Sequence, residues 1–175
     1  PVRFAATTPL TMQGGTWVIT PGGSVDNTTT VNNVTILAGG ANTITPNGVT
    51  GGTNTINIGN LVLPANSGTT LHFNTDPSQP STGGAQVFLG QLNGVAPVSN
   101  SFLGSNVVIN NGEYGVYNSA QGVVRYGSTA LSGNTIPAYA AALASGNNLP
   151  TNVSSTGADV AISANTTIGA LRMTG

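Results

Sequence analysis

The side chains that could perform acid–base chemistry in this chain are few and widely spaced. The carboxylates belong to Asp26, Asp76, Glu113 and Asp159, and the single imidazole belongs to His72. A glycosidase needs two carboxyl groups roughly 5 to 9.5 Å apart, and a general base needs its reacting partner within hydrogen-bond reach. Acids spread over the whole chain indicate turn-forming Asp residues and an exposed Glu. We therefore predict that the protein is not an enzyme.

The sequence also contains few side chains that could bind a metal ion. His72 lies between Leu71 and Phe73 in an alternating segment, so it is predicted to face solvent, opposite the two apolar side chains. The chain has no cysteine, and one histidine cannot complete a zinc site without cysteine or a second histidine. We expect neither a metal nor a cofactor.

The three cations are Arg3, Arg125 and Arg172. Arg125 follows Glu113 by about half a predicted coil, so we predict a structural ion pair between them. The alternatives are a pair with Asp159 or a role of the arginines in ligand binding. In a body with so few charges, such a pair fixes the register of strands more than it adds stability.

Three tyrosines form the candidate ligand-binding group. Tyr114, Tyr117 and Tyr126 are predicted to share one face, where they could stack against glycan rings. The alternative is that they lie in the core or plug the end of a layer, as most aromatic residues in such a chain do.

Four asparagines begin N-x-[ST] sequons and are candidate glycosylation sites. Such sequons also arise by chance in a chain rich in Asn and Thr. They are Asn27, Asn33, Asn152 and Asn165.

Composition narrows the class of protein further. Charged residues make up 4% of the 175 residues, against about 25% in an ordinary soluble domain. No basic patch is present to neutralise phosphates, so nucleic-acid binding is not expected. No stretch approaches the roughly 18 consecutive apolar residues of a membrane span, so membrane insertion is not expected either. A Lys-free, Cys-free chain rich in Thr, Asn and Gly is typical of secreted bacterial surface proteins, which predicts an extracellular location.

Short alternating apolar and polar runs, bounded by Gly, Asn and Pro, predict strands and turns along the chain. This pattern of alternating runs and turns recurs roughly every 20 to 30 residues, which is typical of stacked β-coils. Stacking at about 4.8 Å penalises like charges and favours ladders of Asn and Thr. We predict an all-β fold, a parallel β-helix-like solenoid forming one domain over residues 1–175. Side-loop excursions are predicted at 76–84 and 129–150, the latter with at most one short helix.

Five segments occur in the order LTMQGGTWVIT, LAGGANTITPN, INIGNLVLPANSGTTLHF, SFLGSNVVINNGEYGVYNSAQGVVRYG and ANTTIGALRMTG. In this order they resemble the autotransporter-associated β-strand repeat family of very long secreted bacterial β-solenoid surface proteins. The resemblance covers most of the chain and implies a parallel β-helix-like stalk exported to the cell surface, with no catalytic residues. The fourth segment departs from the family pattern at Gly104-Ser105-Asn106 and Glu113-Tyr114-Gly115.

Both ends of the chain are predicted to be uncapped, because the first residues are few and the last segment stops in the middle of a strand pattern. Uncapped solenoid ends carry unpaired backbone groups that can bind another copy. The sequence therefore predicts a structural subunit or repeat segment that joins identical subunits or adjacent repeats head to tail into a fibre, sheath or surface stalk. The alternative is an adhesin or carbohydrate-binding passenger segment that binds surface glycans.

Overall fold

The computed structural model describes residues 5, 7–23, 25–48, 50–65, 68–75, 84–110 and 112–126, together with the backbone of 150–154 and 170–174. The described residues form thirteen strands and no helix, which confirms the all-β prediction. Residues 76–83 and 129–149, which hold most of the two predicted excursions and the helix-forming run, lie outside the described residues. The strands are β1 (Leu10–Met12), β2 (Gly15–Ile19), β3 (Asn27–Ile36), β4 (Ala41–Pro46), β5 (Thr53–Val62), β6 (Thr70–Phe73), β7 (Gly84–Leu92), β8 (Ser101–Phe102), β9 (Val107–Ile109), β10 (Glu113–Asn118), β11 (Gly122–Arg125), β12 (Pro150–Ser154) and β13 (Ala170–Thr174).

Most strands belong to two sheets that the chain visits alternately. The first sheet has the order β1-β3-β5-β7, and the second begins β2-β4-β6-β9; all of these neighbours are parallel. We call each pair of strands, one from each sheet, a layer: β1 with β2, β3 with β4, β5 with β6, and β7 with β9. The described body therefore contains four layers.

The register of the strands places residues of similar type opposite each other in successive layers. In the second sheet Trp17 pairs with Ile44, Ile44 with Phe73, and Phe73 with Ile109, so one apolar column crosses all four layers. Successive partners in this column are 27, 29 and 36 residues apart. The predicted spacing of roughly 20 to 30 residues thus holds for the first layers and is exceeded in the last, where the connection between β6 and β9 contains β8 in addition to a strand of the first sheet.

The two sheets share one hydrophobic core. Buried side chains from both sheets form a single cluster, which includes Val34 and Ile58 from the first sheet and Ile44 and Phe73 from the second. Each of these side chains is at most 1% exposed. Parallel strands are stable when they are covered in this way, and the small β-branched side chains suit a thin core between sheets.

The three long strands of the first sheet share one interruption of their alternating burial, which we call a corner. In β3 the alternation is interrupted by two consecutive exposed residues, Asn32 and Asn33, between buried Val31 and Val34. The same interruption occurs in β5 at Gly59, and a Cβ there would lie 2.6 Å from the Asn32 carbonyl oxygen. In β7 the same interruption occurs at Gly90, where the Gly59 carbonyl likewise leaves no room for a Cβ. The three corners read Val31-Asn-Asn-Val34, Ile58-Gly-Asn-Leu61 and Leu89-Gly-Gln-Leu92.

The parallel pattern ends in an antiparallel hairpin. β10 runs antiparallel to β9 and to β8 on one side and to β11 on the other. We call β10 and β11 the end hairpin. β12 and β13 form a separate parallel pair, with Pro150 opposite Ala170, and neither pairs with any other strand among the described residues.

Candidate functional site: the two ends of the layered body

At one end of the body, the first layer has backbone groups that no described strand pairs with. The Ile19 carbonyl accepts the Asn47 amide, and the Met12 carbonyl accepts the Leu37 amide. Because alternate residues of a parallel strand bond to the same neighbour, the backbone groups of Thr16 and Val18 in β2 point away from β4. By the same reasoning those of Thr11 point away from β3. No described strand pairs with these outer edges of β1 and β2. We call them the open edge.

The open edge lacks the features with which proteins usually protect such strands. Edge strands are normally shielded by Lys, Pro, bulges or inward-pointing charges. β1 reads LTM and β2 reads GTWVI, so neither contains a charge or a proline. Val18 is 49% exposed. The edge therefore combines outward-facing hydrogen-bonding groups with neutral side chains that would not repel an incoming strand.

The end hairpin closes the opposite end of the four layers. The Thr75 hydroxyl donates to the Val123 carbonyl over 3.0 Å, which ties β11 to the end of the third layer. Gly122 packs so closely on β7 that an added Cβ would collide with the Val87 carbonyl. Tyr117 and Val123 belong to the main core cluster. The hairpin thus reaches from β9 in the second sheet to β7 in the first.

Burial at the end hairpin shifts the titration of two tyrosines. Desolvation by burial raises the pKa of Tyr117 above its usual 10.0, and a hydrogen bond with the Leu89 backbone partly offsets this by lowering it. Burial also raises the pKa of Tyr126. In both cases the low-polarity surroundings disfavour the charged phenolate.

The structure corrects the prediction that the three candidate tyrosines share one face. Tyr114 and Tyr126 pack with Phe102 on the outer side of the end hairpin, where the rings of Phe102 and Tyr114 lie 5.9 Å apart at 87°. Tyr117 lies on the other side of β10, in the main core, because Tyr114 and Tyr117 are an odd number of residues apart in a strand. Tyr126 is 3% and Tyr117 9% exposed, so their ring faces do not form a glycan-stacking platform.

The charged residues singled out from the sequence occupy the surface or the hairpin. Glu113 and Arg125 lie on neighbouring strands of the hairpin, since Gly115 pairs with Arg125 and Glu113 stands two residues earlier in β10. This placement is compatible with the predicted ion pair, which stays a prediction. Asp26 is exposed, and its Oδ1 accepts the Thr53 amide over 2.8 Å, as expected of an Asp that holds a turn. His72 alternates with fully buried Leu71 and Phe73 and is itself partly exposed.

The sequons differ in accessibility. Asn33 is exposed at the first corner. The Asn27 Nδ2, the atom that would carry a sugar, donates to the Asn54 Oδ1 over 2.8 Å. The side chain of Asn152 and the whole of Asn165 lie outside the described residues.

Sequence reasoning missed the buried amides that hold the layers together. Asn54 is fully buried, and its Nδ2 donates to the carbonyls of Ile19 and Asn47 while its Oδ1 accepts from Asn27. Asn42 is also fully buried, and its Oδ1 accepts the Gly14 amide from the preceding layer. Stacking of layers predicts Asn ladders in general, but no local signal distinguishes these two residues from the many exposed asparagines.

Among the described residues, no helix is long and apolar enough to cross a membrane, and no group of three or more His, Cys, Asp or Glu side chains could hold a metal ion. Comparison with known protein families, curated proteins and solved structures finds no match to this chain.

Proposed function

We propose that this chain is a structural, extracellular β-solenoid subunit or repeat segment. It stacks end to end with identical subunits or adjacent repeats into a fibre, sheath or cell-surface stalk. Its work is mechanical and depends on the regular stacking of layers rather than on a reactive site.

The observation that carries this proposal is the register of the two parallel sheets. Strands of the first and second sheets alternate along the chain, and each layer places apolar residues on those of the layer before it, as in the column from Trp17 to Ile109. Repeated supersecondary units that contact only their neighbours are the basis of solenoids. A body built in this way can be lengthened by adding layers without a change of design.

Neutral side chains that bond between layers support the same interpretation. Asn47 donates to the Thr20 hydroxyl over 2.8 Å, and Asn74 donates to the Thr45 hydroxyl over 3.0 Å, each from one layer to the preceding one. Stacked Asn and Thr gain hydrogen bonds at the spacing of neighbouring strands, whereas stacked like charges repel. The low charge of the chain is therefore suited to regular stacking.

The adhesin alternative has less support. Its tyrosine platform needed exposed rings, and Tyr117 and Tyr126 are buried. The predicted side loops at 76–84 and 129–150, which could also bind glycans, lie largely outside the described residues. A glycan array probed with the purified chain tests it, and binding above background would restore this alternative.

Negative-stain electron microscopy of the purified full chain over a range of concentrations tests the structural function. We expect filaments of uniform width whose length increases with protein concentration. Compact particles of constant size at every concentration would contradict self-assembly of the free subunit.

A further inference from the structure

We propose that the open edge of β2 is the docking site for a second copy of this chain and that the occupant is β13 of that copy, paired in parallel. This deepens the proposed function and rests on it, because it names the two surfaces through which the subunits would join.

The closed end of the layered body cannot serve as the partner surface. A strand that continued the first sheet beyond β7 would need the space in which Gly122 packs against Val87. The far side of β11 is occupied as well, since its Val123 carbonyl accepts the Thr75 hydroxyl. The end hairpin therefore blocks direct stacking of one four-layer body on the next, and the complementary edge has to come from elsewhere in the chain.

The pair β12–β13 supplies such an edge. Its strands run parallel and pair only with each other among the described strands. A two-stranded sheet is marginal by itself in water, and parallel sheets in particular are stable when they are extended and covered. A further parallel strand would extend this pair, and β2 lies at the edge of a parallel sheet.

The lengths of the two strands also agree. β2 spans Gly15–Ile19, five residues, whereas β1 has only three. β12 and β13 also have five residues each, but β12 begins with Pro150, which has no amide to donate to a neighbouring strand, so β13 is the better partner. Pairing β13 with β2 extends the parallel part of the second sheet, which runs from β2 to β9. It joins two different surfaces, so the contact is heterologous and repeats without closing when the rotation between copies does not form a ring.

Assembly of two matched variants tests the open edge. Val18→Lys places a charge on the edge of β2, and Val98→Lys places the same charge on an exposed loop position away from it; these side chains are 49% and 74% exposed. We expect Val18→Lys to raise the concentration needed for assembly by about tenfold or more, because a lysine on an edge strand opposes pairing. Val98→Lys should assemble like the original chain. Equal assembly of the two variants would overturn the docking site.

Cross-linking identifies the occupant, and the absence of native cysteine makes the experiment free of background. One preparation carries Thr16→Cys and a second carries Leu171→Cys, the position opposite Thr16 when the two five-residue strands are aligned in parallel. The two are mixed and treated with a short thiol-reactive cross-linker. We expect a mixed dimer of the two variants, formed in larger amount than either self-linked dimer. Val18→Lys introduced into the Thr16→Cys chain should remove it.

The remaining outcomes distinguish a failure of this interface from a failure of the proposed function. Filaments without the mixed dimer would leave the structural function in place and overturn the pairing of β13 with β2. A mixed dimer without filaments would support the interface and contradict the fibre. A chain carrying both cysteines that links only within itself, while the mixture gives no dimer, would show that β13 docks on its own β2 and would overturn the second copy as occupant.

Discussion

The two ends of the layered body contain similar strands but differ in whether the chain turns back to cover them. At the first layer, β1 and β2 leave their outer backbone groups unpaired by any described strand. At the fourth layer, the chain reverses after β9, and the end hairpin covers the core and approaches β7. The comparison teaches that a parallel stack ends where the chain reverses direction, because only then can a short connection supply an antiparallel strand. Whether an end of the body is closed therefore depends on the chain segment that follows the last parallel strand, and not on the strand that is covered.

The reversal depends on residues that tolerate unusual backbone angles. Asn110, at the turn between β9 and β10, has a φ of 49°, and Gly122, at the start of β11, has a φ of 78°. Asn and Gly accept the left-handed region at the least cost. A side chain also stabilises the turn between β10 and β11, because the Asn118 Oδ1 accepts the amides of Ala120 and Gln121.

The largest effect is expected at the closed end. Gly122→Ala combines a left-handed φ with a collision against the Val87 carbonyl, and we expect it to lower the free energy of unfolding by roughly 2 to 4 kcal/mol. Gly94→Ala is the matched control, since its φ is +81° and nothing lies within 4 Å of the added Cβ. It should cost only about 1 kcal/mol. Urea unfolding compares the two, and equal losses would show that the hairpin does not pack tightly on β7.

A smaller effect is expected near the open edge. Asn54→Leu removes the donor to the Ile19 carbonyl of the first layer and to the Asn47 carbonyl, so it should cost roughly 1 to 3 kcal/mol. The exposed Asn33→Leu is the control and should change the free energy of unfolding by less than about 0.5 kcal/mol. Hydrogen exchange should also show the amides of β2 losing protection first. Unchanged protection there would mean that Asn54 does not hold the first layer.

The smallest effect concerns pH and returns to the closed end. Burial raises the pKa of Tyr117 in the folded state above the 10.0 expected when it is unfolded. Between these two values the unfolded chain has released a proton that the folded chain retains, so the free energy of unfolding falls as pH rises above about 10. Below about pH 10 this contribution is fully present.

Tyr117→Phe should remove that part of the pH dependence. The variant loses the hydrogen bond with the Leu89 backbone, which should cost about 1 kcal/mol near neutral pH. Its free energy of unfolding should then decline less steeply than that of the original chain between about pH 10 and 12. Adding Tyr126→Phe should flatten the decline further, since burial also raises the pKa of Tyr126. Parallel curves for all three proteins would contradict the burial of these hydroxyls.

Much of the strand pattern could be predicted from the sequence, because alternation is a local property. The segment around His72 shows this, with Leu71 and Phe73 buried and His72 partly exposed as expected. The tyrosines show the limit. Tyr114 and Tyr117 were expected on one face, but the strand β10 is buried on both sides, so alternation placed one ring in each cluster. Only the packing of the hairpin reveals that both faces are covered.

The corner motif is present in the sequence, but sequence reasoning missed it. Three stretches of the form apolar–small or polar–polar–apolar, beginning at Val31, Ile58 and Leu89, stack on one another. Two adjacent non-apolar residues inside an alternating run are the signal for such a corner. After them, the side chains that face inward occupy the other set of alternate positions. Taken one at a time, each resembles an ordinary turn.

The sequence by itself determined the all-β class, the recurrence of strands and the near absence of charge, because these depend on composition and on periodicity over a few residues. Tertiary structure alone decided which asparagines became buried ties between layers, which tyrosines lost their exposed faces, and which end of the body was closed. These features depend largely on residues far apart in the chain, such as Asn54 with Ile19, 35 positions apart, and Thr75 with Val123, 48 positions apart. Local patterns cannot encode such partners, since any of several neutral side chains would satisfy the same alternation.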